Sequence, residues 1–542
     1  MRIMRYLYPV RVVYKEGEIV NEQGLFAKKP FQIGLMETNV MEMRGKASII
    51  LDFGKEVAGG ARILTFKTNK NTPVRLRFGE SVSETCAELG EKNATNDHSV
   101  RDLTVSLQAY SDMRFGQSGF RFLRIDTLSD ASIVTFKSIL ACTEIDEREE
   151  PGSFICDDEN VNQIWKTASY TLRLCLQNGY FWDGIKRDRL VWIGDLYPEM
   201  RTAHCLFGDV PETYASLKFA SDETPIGDWM AGMPAYSLWW LIILADEYKV
   251  CGDKEKYAEF LPYIKDLLTQ ISMYVGEDGV TKYPSNFIDW ASCPMDGDPA
   301  WRLEENLAGM SYITRLAMQK TAEFLEACGE DSSVCKDILA RLDKRSWNVN
   351  VYKQISAMGV WAGDMSKTNE QTLLKGGAKG LSTFMSYPIL TGVAKFGHYE
   401  EALKMMKEYY TGMLSLGATT FWEDFDLDWM EGAGRLDEMP KAGEKDIHGD
   451  YGAWCYKGFR HSFCHGWSAG VIPYLVETVA GVNFVGIGQK QVEIAPHLSG
   501  LKHVKVTVPT MLGLLTVEHT LQENGSVKTT VDAPEGMQVS VK

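Results

Sequence analysis

Hydrophobic and polar positions change their period twice along this chain. Up to about residue 150 short alternating runs dominate, among them Ala47-Ser-Ile-Ile-Leu-Asp52, Val74-Arg-Leu-Arg-Phe78 and Phe120-Arg-Phe-Leu-Arg-Ile125, with Gly, Asn and Asp clusters between them. Alternation punctuated by turn residues predicts strands, and a stretch this long predicts a β-sandwich. From Asp158 the apolar residues recur at helical spacing, predicting helices near 158–178, 196–208, 211–221, 236–251, 255–275, 303–327, 333–348, 383–396, 399–411 and 466–480. Helices in that number, joined by long aromatic loops, predict paired hairpins closed into an (α/α)6 toroid rather than a four-helix bundle. They show no fixed repeat, so a solenoid is the weaker alternative. After about residue 484 the alternation returns in Gln491–Ala495, Val504–Val508 and Leu514–Glu518, and an Asn524-Gly525 turn precedes Val527–Val531. The expected fold is therefore mainly α: an N-terminal β-sandwich over residues 1–150, an (α/α)6 barrel over 151–483 and a small C-terminal β-sandwich over 484–542.

Composition narrows the partners. With 57 basic against 73 acidic side chains the formal net charge is -16, a field that repels nucleic acid and anionic membrane. No apolar run approaches the roughly 18 to 20 residues that span a bilayer, and the start Met1-Arg-Ile-Met-Arg lacks an apolar signal core. As written the sequence reads as cytoplasmic, and a periplasmic place stays open should a leader have been removed. The eleven cysteines are odd in number and contain no Cys-x-x-Cys pair, so they read as reduced thiols rather than a disulfide framework or a zinc cluster. All fourteen tryptophans, Trp165 to Trp467, fall in the helical zone, which is where chemistry is sought.

The densest constellation is Phe181-Trp-Asp183-Gly-Ile-Lys-Arg187-Asp188-Arg189-Leu-Val-Trp192-Ile-Gly194-Asp195, with three carboxylates, three cations and two indoles in fifteen residues. Glycoside hydrolysis asks for this mixture: a carboxyl kept protonated for the leaving oxygen, others to grip hydroxyls, and aromatic faces for the sugar ring. An ordinary charged loop tying two helices together is the plainer alternative, and the interleaved Trp and Gly residues weigh against it. In Gly417-Ala-Thr-Thr-Phe-Trp422-Glu423-Asp424, Glu423 is a candidate for the ionised carboxylate that activates water, and a solvated acidic turn explains this segment equally well. In His461-Ser-Phe-Cys-His465-Gly-Trp467, His465 is placed to donate to a hydroxyl or to orient a carboxylate. His461 and His465 are four apart, a ligand spacing, but such a pair is more often structural, and no metal is assigned. Asp228-Trp229 and Asp289-Trp290 are weaker pairs of the same Asp–Trp kind. No phosphate-binding loop and no Gly-x-Ser-x-Gly elbow are present.

Nearly the whole chain resembles the bacterial α-L-rhamnosidases of glycoside hydrolase family 78. Leu51–Gly59 and Arg75–Ser81 are similar to that family's β-sandwich before the barrel; Gly417–Glu423 and His461–Trp467 resemble its barrel motifs; Ile494–Leu498 and Pro509–Gly513 are similar to its C-terminal sandwich. The family signature has Asp, three residues, then Arg-Asp-Glu-Arg, with the Glu as general acid, whereas here Asp183 is followed by Arg187-Asp188-Arg189 and one residue is missing. Counted back from Trp192, Asp188 stands at the acid's position; counted forward from Asp183 it matches the family's Asp. The acid role is assigned to Asp188, where a carboxylic acid remains. The resemblance further implies Glu423 as general base and Asp183, Trp192, Asp195, Asp289 and His465 around the sugar, with Arg187, Trp290, Trp422 and Trp467 as further candidate contacts. It implies inversion and no redox cofactor. The expected function is release of a terminal α-L-rhamnosyl or related residue; the alternatives are the same fold acting on another sugar, and a glycan-binding protein without turnover.

Overall fold

The computed structural model describes residues 2–69 and 72–542. Strands β1 (Arg2–Leu7), β2 (Arg11–Val20), β3 (Met41–Thr68), β4 (Thr72–Gly79), β5 (Asp102–Leu107), β6 (Ser111–Thr127) and β7 (Ile133–Asp146) form one antiparallel sheet in the order β1-β7-β3-β6-β4-β5, with β2 added to β3. The expected two-sheet sandwich is corrected to a single curled sheet. The reason lies in β3, whose register against β6 shifts between Asp52 and Val57 and again between Gly59 and Ala61; such bulges bend a strand and increase its twist. The sheet thereby wraps a core that includes Leu51, Val57, Phe78, Phe120 and Phe136. The short helix α1 (Val82–Cys86) follows β4.

Strand β8 (Ser153–Cys156) leads into the helical part: α2 (Glu159–Cys175), α3 (Ile193–Phe207), α4 (Pro211–Glu223), α5 (Pro234–Cys251), α6 (Lys254–Ala258), α7 (Leu261–Met273), α8 (Ala300–Cys328), α9 (Ser333–Leu342), α10 (Lys353–Trp361), α11 (Lys367–Leu374), α12 (Ser386–Lys395), α13 (Tyr399–Ser415) and α14 (Val471–Tyr474). Asp158 caps α2 by accepting from the backbone N–H groups of Asn160 and Val161, which fixes where the first long helix begins. The helix expected over 255–275 is broken into α6 and α7, with Pro262 at the start of the second. The one expected over 466–480 is a 3-10 turn (Gly466–Gly470), α14 and a π-turn (Leu475–Val479) in succession.

Beyond the helices a three-stranded sheet (Val482–Val485, Gln491–Ile494, Gln538–Val541) stands beside a four-stranded one. The latter comprises Val527–Asp532, Gly513–Leu521, His503–Thr510 and β8, so the strand that opens the helical zone pairs with the chain's last sheet. Helical and sheet content are thus mixed rather than mainly α. Among the described residues no helix is long and apolar enough to cross a membrane.

Candidate active site

Helices α3 and α5 bring their N-terminal ends together. Trp192, the residue before α3, meets Tyr236 of the first turn of α5 edge to face at 5.9 Å, and a Cβ on Gly194 would lie 2.7 Å from the same ring, so only glycine allows this approach. Asp195 sits in the first turn of α3, where the helix dipole favours a negative charge.

Three loops close on this point. The first, residues 182–191, turns back on itself through backbone hydrogen bonds from Asp183 N–H to Leu190 O (3.1 Å) and from Leu190 N–H to Asp183 Oδ1 (2.9 Å). Asp188 and Arg189 take left-handed backbone angles, φ +54° and +60°, a strained conformation for non-glycine residues. The second loop carries Glu423, whose N–H donates to Ser462 O (2.9 Å) and whose carboxylate Oε2 accepts from Ser462 N–H (3.2 Å). The third begins at His465, whose Nε2 lies 3.0 Å from Asp195 Oδ1, and Gly466 N–H donates to Asp183 O (2.7 Å).

The two carboxylates separated by 235 positions end on one guanidinium: Arg187 Nη1 contacts Asp188 Oδ1 at 2.9 Å, and Arg187 Nη2 pairs with Glu423 Oε1. Their surroundings differ. Glu423 is buried, and although burial opposes ionisation, Arg187, His465 and His461 bring its carboxyl down to about 2, so it is ionised at neutral pH. Asp188 is half-exposed and its Oδ1 lies 3.0 Å from His98 Nδ1, a residue contributed by the N-terminal part of the chain. Asp188 is thus held by Arg187 and His98, and Arg189 turns away, its guanidinium 4.8 Å from the Trp182 ring centre.

Around this pair burial raises the pKa of the neighbouring acids. Burial holds Asp183 well above the usual carboxylate range, with Asp195 and Asp188 adding to the effect against His465. Burial likewise raises Asp195, against its bond to His465. Asp289 is pushed up to about 6 by burial, although Ser382 donates to it and Trp290 N–H caps it at 2.7 Å. His465 goes the other way: burial lowers it, but Glu423 and Asp195 carry it up to about 9, so it is an imidazolium at neutral pH.

The aromatic candidates separate into two groups. Trp192 and Trp290 are half-buried, and Trp290 leans on Phe287, Trp454 and Tyr456. Trp422 and Trp467 are not sugar platforms. Trp422 has no exposed surface and stacks on Phe463 at 4.2 Å; Trp467 stacks on Phe384 at 4.9 Å and donates its indole N–H to Glu423 O (2.9 Å). Of the weaker pair, Asp228 faces solvent and Trp229 packs into the core against Tyr274 and Tyr283. The two spaced histidines have different partners: His461 Nε2 accepts from Asp424 N–H (3.0 Å), and burial takes it down to about 3 and keeps it neutral.

Sequence reasoning missed Asp424 and His98. Asp424 is half-buried beside Glu423, and burial and Asp289 push it up to about 7. Its only signal was adjacency to Glu423, and His98 had none. Several buried polar atoms here lack any partner among the described residues: Trp192 Nε1, His465 Nδ1, His461 Nδ1 and Glu199 Oε1. Unsatisfied groups gathered beside buried acids are what a polyhydroxylated ligand satisfies.

Comparison with known proteins points to one family. The six-hairpin glycosidase domain of bacterial α-L-rhamnosidases matches residues 149–336, and their concanavalin-like domain matches residues 42–143. No curated protein matches the chain. Among solved structures it shares its fold with a GH78 family rhamnosidase of Bacillus sp. GL1 (19% identity, TM-score 0.75, 96% of this chain and 55% of that one). It is also similar to a Klebsiella oxytoca rhamnosidase with rhamnose bound (17%, 0.67, 88% and 96%) and to the α-L-rhamnosidase of Dictyoglumus thermophilum (16%, 0.72, 99% and 58%). The chain thus spans little more than half the length of the Bacillus protein.

Proposed function

The chain belongs to the bacterial α-L-rhamnosidase family, and from that premise we propose that it is a glycoside hydrolase that releases a terminal α-L-rhamnosyl or closely related residue with inversion. The helical unit is read as an (α/α)6 toroid, in keeping with the six-hairpin match. The observation that carries the proposal is the pair Asp188 and Glu423 on opposite nitrogens of Arg187, one half-exposed and the other buried and ionised.

In the mechanism, Asp188 donates a proton to the glycosidic oxygen as the anomeric C–O bond breaks, and Glu423 takes a proton from the water that forms the new bond on the opposite face. The products are the free sugar and the neutral aglycone alcohol, and the proton that Asp188 loses is balanced by the one that Glu423 takes from water. His98 Nδ1, 3.0 Å from the Asp188 carboxyl, accepts the Asp188 backbone N–H (2.8 Å) and positions that residue. Arg187 keeps Glu423 ionised and pairs with both carboxyls. Asp183, Asp195, Asp289 and Asp424 serve the sugar hydroxyls, and imidazolium His465 and the indole N–H of Trp192 donate to them. Trp290 offers its ring. The carbohydrate is the expected partner, and none of these steps uses a metal or cofactor.

The test is kinetic and stereochemical. Asp188→Asn and Glu423→Gln are each expected to lower kcat on a rhamnoside by about 10² to 10⁴. The loss in Asp188→Asn should be far smaller for nitrophenyl leaving groups, which need no protonation. Product NMR is expected to show the β-anomer first. Wild-type turnover in both variants, or retention, would exclude this mechanism, and turnover of another glycoside alone would assign a different sugar.

A further inference from the structure

Behind the acid loop lies a second cluster of ionisable groups that the chemistry does not touch. Glu80, in the turn between β4 and α1, Glu84 of α1 and His448 are buried, and their ligand atoms all lie within 4.8 Å of one another. Two carboxylates and an imidazole at that spacing make a donor set suited to a divalent ion.

A side chain already stands in it. Lys186 Nζ lies 2.9 Å from Glu80 Oε2, 3.4 Å from Glu84 Oε1 and 3.3 Å from His448 Nε2, and it also donates to Phe459 O (3.0 Å) and His461 O (2.5 Å). An ammonium has three protons to give, so four oxygen acceptors around one nitrogen form a cation cage rather than a single ion pair, while His448 Nε2–H beside it donates to His461 O (3.0 Å). A metal ion binding the same donors at about 2.0 to 2.2 Å would fall against the ammonium, a like charge.

We infer that Lys186 is a built-in cation: its ammonium occupies a latent metal site and thereby locks the acid loop in place. The cage joins three parts of the chain. Glu80 and Glu84 belong to the N-terminal unit, Lys186 to the acid loop, and His448, Phe459 and His461 to the segment that leads to His465. Glu80 Oε2 also accepts from Phe463 N–H (2.7 Å), and Ser81 Oγ lies 2.7 Å from His448 Nδ1, so the cage walls are themselves cross-tied. Arg187, which holds both Asp188 and Glu423, is the next residue along from the caged ammonium. Gly119 of β6 completes the seat: a Cβ there would come within 2.8 Å of Lys186 N. Lys186 is a positioning residue in this scheme, and its catalytic consequence rests on the proposed hydrolase reading.

Zinc alone is the probe, and the readouts are zinc stoichiometry by calorimetry and hydrogen exchange of the amides in residues 183–195. Wild-type protein is expected to bind no zinc that His448→Gln abolishes. Lys186→Met is expected to speed exchange in the loop at least tenfold, because the carboxylates lose their counter-charge. Lys186→Gly is expected to take up one equivalent of zinc with recovery of loop protection, and Lys186→Gly combined with His448→Gln is expected to take up none. If Lys186→Met fails to fold, refolding of Lys186→Gly decides: dependence on one zinc supports the inference, and indifference to zinc overturns it. Wild-type protection in folded Lys186→Met, or zinc binding at His448 in the wild type, would also overturn it. Neither readout needs turnover, so an enzyme inactive on every rhamnoside would sink the hydrolase reading and leave this result intact.

Discussion

His465 and Glu423 hold opposite charges deep in the protein, and each sets the other's protonation. The imidazole is raised from 6.5 to about 9, so the folded state holds its proton more tightly than the unfolded chain. Its contribution is fully present below about pH 6.5 and is lost as pH rises through about 9. Glu423 is lowered from 4.5 to about 2, so its contribution is present above about pH 4.5 and is lost as pH falls toward 2. Thermal unfolding measured across pH is therefore expected to lose part of its alkaline edge in His465→Gln. An unchanged alkaline edge in that variant would disprove the assignment. His98 gives a second residue-level expectation. His98→Ala is expected to lower kcat on rhamnosides severalfold, because it removes the acceptor that holds the Asp188 backbone N–H beside the carboxyl; an unchanged kcat would reject the role. Much at this scale was legible beforehand. Asp183, Asp195, Glu423 and His465 announced themselves as charges interleaved with Trp and Gly, and the structure gathers them. Trp422 and Trp467 misled because composition cannot tell an indole that faces a ligand from one that stacks on Phe463 or Phe384. His98 was invisible because its value comes entirely from a contact made 90 positions away.

At the scale of elements the same contrast has a physical cause. Amphipathic helices such as α2 and α13 expose one face and so leave a period in the sequence, and both were foreseen. Helix α10 is buried at Lys353 through Val360, so no polar face marks it, and it was missed along with α11 after it. The segment from Gly466 looked like a plain helix because its side chains repeat at helical spacing. Its backbone begins as a 3-10 turn because Gly466 packs against α3: a Cβ there would lie 1.8 Å from Glu199 Oε1, and Gly466 N–H is committed to Asp183 O. Burial keeps Glu199 well above the usual carboxylate range, so it cannot ionise and move to solvent to make room. Gly466→Ala is therefore expected to cost about 1 to 3 kcal/mol through overpacking and to displace His465. Denaturant unfolding measures the first effect and the pH profile of kcat the second. Wild-type values in both would show that the neighbouring acid gives way freely.

The molecule as a whole is tied together by a core that does not respect the change of period along the chain. One continuous apolar cluster runs from Ile50 and Phe122 of the first sheet, through Trp239 and Trp240 of α5, to Val504, Val506, Leu515 and Val517 of the last sheet. Strand β8 makes the link explicit, because Phe154 and Cys156 pair with Val506 and Val504 while Phe154 stacks on Trp165 of α2 at 5.7 Å. His519, buried in the same sheet, brings Nε2 to 3.0 Å from Ala480 O just after the π-turn. The terminal strands thus act as a wall of the helical unit rather than an appended module, although their length alone suggested a brace with little core of its own. Removing residues 484–542 would leave β8 with an unpaired edge and would open Val504-facing surface of α2 and α3 to water. Unpaired edges and exposed apolar area favour aggregation over a smaller native state. The shortened chain is therefore expected to lose cooperative unfolding and near-ultraviolet circular dichroism rather than only activity. A soluble 1–483 fragment that melts in one sharp transition at the full-length temperature would show instead that the helices and the first sheet fold without that wall.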